Sequence, residues 1–396
     1  MRIFKLIKII ASYYLLFCGL SVNALLVGVY LYDPSIIYVI HGKIEKKLKL
    51  AINPNALIDE QNQLRQQLDN EIAINFGQWQ PLPEKYPVER GMVKIDNLTY
   101  KTISEASASL RDNQVMLIGE GTYLEPLVIK KNNVKVIGSG RVTFDGINAE
   151  GKAAIITKGN NITIVNIECK NISVRDQNGA CIRSEGANLT VDHVYFHNSE
   201  QGILSSRNEY LHITDSRFEK LGKNGFAHGI YIDSGELIIE NSQFIASVSE
   251  GHEIKSRARK TVIMKSVIAS LSADDSRLID IPNGGELIIS DSVLEKGPQS
   301  VNSTAIGYGL EGIKHIKNEI TIKKSVIILE RDGFNKLFDI SADIHLPITT
   351  ANNIMVSKQG FDIGGINWIY SSRKEAKIND YPYIPVLENS QPSTVR

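Results

Sequence analysis

A seven-residue phrase returns at intervals of about two dozen residues along the middle of the chain. It reads TIVNIEC at 163–169, TVDHVYF at 190–196, HITDSRF at 212–218, IIENSQF at 238–244, VIMKSVI at 262–268, IISDSVL at 288–294 and TIKKSVI at 321–327. The fourth letters are Asn166, His193, Asp215, Asn241, Lys265, Asp291 and Lys324, spaced by 27, 22, 26, 24, 26 and 33 residues. A period of about 25 with short strands and turn residues marks a solenoid. It is too short for propeller blades, which need roughly 40 residues or more, and the Leu/Asn consensus of leucine-rich repeats is missing. Within each phrase apolar and polar letters roughly alternate, so each phrase reads as a strand with one inward and one outward face. The architecture left is an all-β parallel β-helix, in which each coil pairs with the next because no single coil can bury its own apolar face. Short runs of Ile, Val and Leu, with 30 glycines and only 12 prolines, favour strands in the same way.

The stretch TISEASASLRDNQVMLIGEGTYLEPLVIKKNNVKVIGSGRVTFDG (102–146) precedes the repeat. It reads as a short helix, ISEASASL, then a turn at GEGTY, then the first strands at NNVKVIGSG. The end of a stack is an open edge that needs such a plug. This segment resembles the opening of the pectate-lyase-like right-handed parallel β-helix proteins, and the resemblance runs over about residues 100–360. It implies a right-handed parallel β-helix and says little about function. HGIYI (228–232), GHEIKSRA (251–258), IDIPNGG (279–285) and GYGLEG (307–312) together resemble a bacterial branch of those proteins, grouped by fold rather than by reaction. No catalytic role is carried over from it to any residue here.

Toward the N-terminus, IIASYYLLFCGLSVNALLVGVYLY (9–32) holds 24 residues without a charge, more than the roughly 20 needed to cross a bilayer core. Arg2, Lys5 and Lys8 precede it, which keeps the start of the chain cytoplasmic. The sequence therefore predicts a single-pass inner-membrane anchor with the rest in the periplasm or outside. Val22-Asn23-Ala24 has the small-residue character of a signal-peptide cleavage site, but the apolar run continues past it, which favours an uncleaved anchor. Residues 43–50 are basic and amphipathic and suit a membrane surface. Residues 53–77 read as a helix opened by Asn55, with Leu57, Leu64, Leu68 and Ile72 near one stripe, serving as spacer, coiled-coil contact or cap. WQPLPEKYP (79–87) reads as a joint. The division expected is a cytoplasmic start and transmembrane anchor (1–35), a helical linker (36–90), the β-helix (91–365) and an irregular tail (366–396). Cys18 falls in the apolar segment. Cys169 and Cys181 lack CxxC spacing or a nearby histidine at metal spacing and read as buried, inert thiols, with a disulfide between them as the alternative.

With 44 basic and 44 acidic residues the formal charge is zero, which removes the usual argument for a nucleic-acid partner. Charge is nevertheless clustered. A second column aligns on the isoleucines Ile182, Ile203, Ile230, Ile254, Ile279 and Ile306. The next, outward position reads Arg183, Leu204, Tyr231, Lys255 and Asp280. Two further on stand Glu185, Ser206, Asp233, Arg257 and Pro282, and two before the isoleucine stand Ala180, Gln201, His228, His252 and Arg277. Neighbouring rungs lie about 4.8 Å apart, so Tyr231, Lys255 and Asp280 form a ladder with His228 and His252 stacked at its edge. Lys255, Arg257, Arg259 and Lys260 crowd into six positions, a cationic strip that suits an extended anionic chain such as a polyuronate. Breaking a uronate by β-elimination, or inverting its C5, requires a cation on the carboxylate, a base for the C5 proton and an acid for the leaving oxygen or the returning proton. On this reading Lys255 is the base, oriented by Asp280, Arg257 clamps the carboxylate, and Tyr231 or His228 is the acid. His252, Arg259, Asp233 and Arg183 line the groove, and Asn283, Tyr308 and Glu311 shape it. The plainer reading is that Asp233–Arg257 and Lys255–Asp280 are solvated cross-rung pairs, contributing roughly 0.2–1 kcal/mol each.

The resemblance also admits calcium, for which Asp233, Asp274, Asp275 and Asp280 are the available carboxylates, although no calcium-repeat motif is present. Two functions compete with a lyase or epimerase. One is a non-catalytic polysaccharide-binding or export scaffold. The other is a glycoside hydrolase, echoed only by isolated GH and DD fragments.

Overall fold

The computed structural model describes residues 54–386, with side chains from residue 62 on. The predicted anchor at 9–32 and the basic stretch at 43–50 lie outside the described residues. Among the described residues no helix is long and apolar enough to cross a membrane. Residues up to Gln66 cluster apart from the compact unit that begins at Gln67.

That unit is a parallel β-solenoid whose coils each supply strands to three rows. In the coil that carries HITDSRF these are Tyr210–Thr214, Arg217–Glu219 and Ile230–Ile232. The next coil supplies Glu236–Glu240, Gln243–Ile245 and Ile254–Ser256, and the one after it Lys260–Met264, Val267–Ala269 and Ile279–Ile281. Like pairs with like: Ile213 opposite Ile239 and Ile263 in the first row, Phe218 opposite Phe244 and Ile268 in the second, Ile230 opposite Ile254 and Ile279 in the third. The third row forms a sheet of nine strands, Leu127–Ile129 through Lys336–Ile340. Inward side chains such as Phe196, Phe218 and Phe244 are fully buried and line up along the axis, Phe196 edge-on to Phe218 at 5.5 Å and Phe218 stacked on Phe244 at 4.4 Å.

The repeated phrase is not one strand, as its alternation suggested, but a corner. Its fourth residue is left-handed in every copy: Asn166, His193, Asp215, Asn241, Lys265, Asp291 and Lys324 have φ between 46° and 55°. Asn and Asp tolerate that region best, which explains most of these letters. The serine that follows feeds the amide left over at the bend. Ser216 N–H donates to Ser242 Oγ, Ser242 N–H to Ser266 Oγ and Ser266 N–H to Ser292 Oγ, each at 3.1 Å. The phrase therefore recurs because the chain must turn sharply once per coil, without burying an unpaired amide.

The expected plug is helix α2 (Ile103–Ser109), capped by the Thr102 side chain on Glu105 N–H and burying Ile103 and Ala106. Helix α1 (Pro54–Phe76) sets Leu68 and Ile72 against Ile245, Ala246, Ala269 and Leu271 on the outer wall of the second row. The segment from 366, read as an irregular tail, begins instead with a strand, Ile366–Tyr370, parallel to Ile348–Ser357. It then returns to α1, where Tyr381 OH donates to Glu71 Oε2 at 3.0 Å and Ile384 N–H to Asn75 Oδ1 at 2.8 Å. Five residues of INWIY are too few for alternation to announce a strand. Cys169 and Cys181 are joined as a disulfide rather than standing as free thiols. The coil brings their Cα atoms to 5.8 Å, within bridging range, a proximity that twelve intervening positions do not reveal.

Candidate outer-wall site

The third row carries the ladder. Strand pairing sets Tyr231 opposite Lys255 and Lys255 opposite Asp280, so the three occupy successive rungs. Their flanking isoleucines point into the core and they point out. Tyr231 and Lys255 are half-buried, while Asp280 is covered by its neighbours.

Arg257 is the hub. Its Nε donates to Tyr231 OH at 2.8 Å, Nη1 to Asn283 Oδ1 at 2.6 Å and Nη2 to Glu311 Oε2. Lys255 Nζ donates to the other Glu311 oxygen, Oε1, at 2.9 Å and lies 3.4 Å from Asp280 Oδ2. One carboxylate is thus held by two cations of the same coil, Lys255 within the Ile254–Ser256 strand and Arg257 just after it. Burial resists ionisation of Glu311, but the hydrogen bonds from Arg257 and Lys255 prevail and hold its carboxyl down at about 2. For Asp280 the balance goes the other way. Burial lifts its carboxyl above the ordinary value, although Arg277 and Lys255 oppose it.

His228 and His252 stack in parallel at 4.7 Å, both buried. His228 Nδ1 accepts from the His252 amide at 3.2 Å, and His252 Nδ1 accepts from the Arg277 amide at 3.1 Å. Each ring therefore carries its proton on Nε2. Burial, with Lys255 nearby, pushes His228 down to about 3, and burial with the adjoining His228 ring holds His252 well below the ordinary imidazole value. Both are neutral imidazoles at physiological pH. The His252 Nε2 lies 3.7 Å from Asp280 Oδ2, and the His228 ring is 6.4 Å from that of Tyr231.

Seven of the residues singled out from sequence meet here: His228, Tyr231, His252, Lys255, Arg257, Asp280 and Asn283, with Glu311 as an eighth. Asp233 touches the edge through Tyr231 OH at 3.4 Å, but the expected Asp233–Arg257 pair is absent because Arg257 turns to Glu311. Tyr308 does not shape the groove. Ile306 faces inward, so Tyr308, two positions on, does too; it is fully buried and its hydroxyl donates to Gly285 O. Arg259 leaves the cluster for an exposed pair with Glu236 at 2.6 Å. Arg183 stands two rungs from Tyr231, with Leu204 between.

The four aspartates that calcium would need do not converge. Asp275 is buried 3.6 Å from Lys296, Asp280 is taken by Lys255 and Arg277, Asp274 accepts from the Ser249 amide, and Asp233 is exposed. Sequence reading passed over Arg277, which reaches Asp280 at 3.5 Å and Asp339 at 3.7 Å. Its place below His228 and His252 in one column was the available signal. It also passed over Gly307, opposite Asp280. A Cβ there would lie 2.7 Å from Asp280 Oδ1 and 2.8 Å from Arg277 Nε, so only glycine leaves room for that pair.

No protein-family model matches this sequence. No curated protein matches it either. Among solved structures, a pectin methylesterase in complex with a hexasaccharide has 14% identity and a TM-score of 0.38, covering 75% of this chain and 96% of its own. The pectin methylesterase PemA of Erwinia chrysanthemi has 13% identity and a TM-score of 0.39 (71% and 92% covered). The A-module of the mannuronan C-5 epimerase AlgE6 of Azotobacter vinelandii has 11% identity and a TM-score of 0.31 (68% and 90% covered). The fold assignment here rests on the strand pairing itself.

Proposed function

We propose that the outer wall of the third row binds an anionic, uronate-type polysaccharide and acts on it by β-elimination or C5 epimerisation, at a membrane surface to which residues 9–32 tether the chain. The observation that carries this reading is the paired grip of Lys255 and Arg257 on one carboxylate, beside the hydroxyl of Tyr231. Two cations on a carboxylate offset the charge that builds up as a C5 proton leaves. The geometry supports a different division of labour from the one read in sequence. Lys255 sits between two carboxylates, the partners of a cation rather than the surroundings of a free amine, and suits the clamp together with Arg257. Tyr231 suits proton transfer, since Arg257 Nε donates to its oxygen and favours it when it carries negative charge. His228 Nε2–H suits the second donor. In elimination the Tyr231 oxygen, entering the step ionised beside Arg257, takes the C5 proton, the C5–H electrons form the C4–C5 double bond, the C4–O4 bond breaks, and the leaving oxygen takes the proton of His228 Nε2. In epimerisation the Tyr231 oxygen takes the C5 proton from one face, and His228 Nε2 delivers a different proton to the opposite face.

Tyr231→Phe tests the assignment. Binding of polygalacturonate or alginate is expected to persist and turnover to vanish, read as ultraviolet absorbance of the unsaturated product or as solvent deuterium at C5. Lys255→Ala is expected to weaken binding itself. Turnover surviving in Tyr231→Phe removes the proton-transfer role. Binding by the wild type without either product, over all substrates, identifies a scaffold.

A further inference from the structure

The loop after the Thr304–Tyr308 strand folds back across two rungs onto the ladder, and its attachments are to the ladder's own residues. Glu311 N–H donates to Pro282 O at 2.9 Å, Asn283 Nδ2 to Gly312 O at 2.9 Å, and His315 Nε2 meets Arg257 O at 3.0 Å. Gly309 and Gly312, with φ of 73° and 90°, flank the acid. Glycine takes such angles without strain, so a turn on each side of Glu311 presents its side chain to Lys255 and Arg257. Both side chains are mostly covered while that of Glu311 is 45% exposed: the acid is the outermost layer, set over two cations.

Resting on the function proposed above, we infer that Glu311 determines which ligands the ladder accepts, by occupying the carboxylate position that a uronate must take. A ligand gains the two cations only by replacing one carboxylate with another. A free uronate offers that exchange. A neutral sugar or a methyl-esterified uronate offers nothing to replace the lost pairs, and leaves both cations covered. The loop thus imposes a charge test before binding, and it does so at a cost in affinity for the correct ligand as well.

Glu311→Gln keeps the shape and removes the charge. Calorimetric titration of the full-length protein with polygalacturonate, fully methyl-esterified pectin and monomeric galacturonate reads the consequence, with circular dichroism confirming the fold of each variant. The expected result is a gain on the order of tenfold in polygalacturonate affinity over wild type, with a steeper loss of binding as salt is added. Arg257→Ala in the same background is expected to abolish the gain. Wild type and Glu311→Gln binding polygalacturonate equally, or the variant binding more weakly, overturns the inference and leaves the polysaccharide reading intact. A gain for monomeric galacturonate with no polymer bound by either protein upholds the exchange and overturns the polysaccharide reading. No binding of any of the three by either folded protein overturns both.

Discussion

Glu253 lies directly before the Ile254–Ser256 strand, beneath the ladder, and is fully buried. Its Oε1 accepts from Ser247 N–H at 2.6 Å and its Oε2 lies 2.7 Å from Ser247 Oγ, which is also 3.4 Å from His252 O. Burial, reinforced by the Asp275 carboxylate and opposed by the Ser247 contacts and Lys296, raises its pKa from 4.5 to about 8. The folded state therefore prefers the neutral acid. The favourable contribution is intact below pH 4.5 and is lost as pH rises through 8, because the unfolded chain releases the proton first. At about 1.4 kcal/mol per pH unit, the cost to folding is about 1 kcal/mol near pH 5 and about 3 kcal/mol near pH 7. Glu253→Gln mimics the neutral acid: its oxygen accepts from Ser247 N–H, its amide donates to Ser247 Oγ, and that hydroxyl turns to His252 O. The stability of the variant relative to wild type, from denaturant unfolding at a series of pH values, should rise by about 2 kcal/mol between pH 5 and pH 7. A difference independent of pH would refute the buried neutral acid. One that shrinks as pH rises would mean that Lys296 holds Glu253 ionised in the fold.

Three further outcomes follow from the geometry. Arg257→Lys should weaken polyuronate binding by roughly tenfold to a hundredfold, since a single ammonium cannot serve Tyr231, Asn283 and the ligand at once; calorimetric titration reads it, and unchanged affinity would remove Arg257 from the clamp. Gly307→Ala should push Arg277 off Asp280, lowering binding several-fold at roughly unchanged melting temperature; an unaltered titration would show the pair to be dispensable. Replacing Cys169 and Cys181 together by Ser should cost about 3 kcal/mol, the loop-closure value for a bridge across about a dozen residues, and reductant should lower the wild-type melting temperature to match; identical melting with and without reductant would mean that the bridge contributes nothing.

The rows were legible and the loops were not. Ile182, Ile203, Ile230, Ile254, Ile279 and Ile306 do stack, because parallel pairing leaves a strand little freedom of register once one face is apolar. The same parity already placed Tyr308 inside, two residues after an inward isoleucine, and only its aromatic ring and hydroxyl suggested otherwise. The corner residues were legible as a pattern but not as a conformation. Asn and Asp hint at positive φ, whereas Lys265 and Lys324, at 49° and 51°, show that the serine ladder and the core fix the bend even where the side chain does not favour it.

What no periodicity conveys is the reach of a loop. The Arg257–Asp233 pairing expected from adjacent rungs required both side chains to extend straight from their strands, and an exposed pair of that kind is worth little. Glu311, arriving 54 positions later in sequence, outcompetes Asp233 because it meets Arg257 and Lys255 together, and because Asn283 and Pro282 anchor its loop to the very coil it covers. The wall supplies two cations two positions apart on one coil, and the loop sets a carboxylate over both. On the exchange inferred above, chemistry at the ladder begins with the departure of that carboxylate, and so the loop at 309–312 bears on function as directly as the residues beneath it.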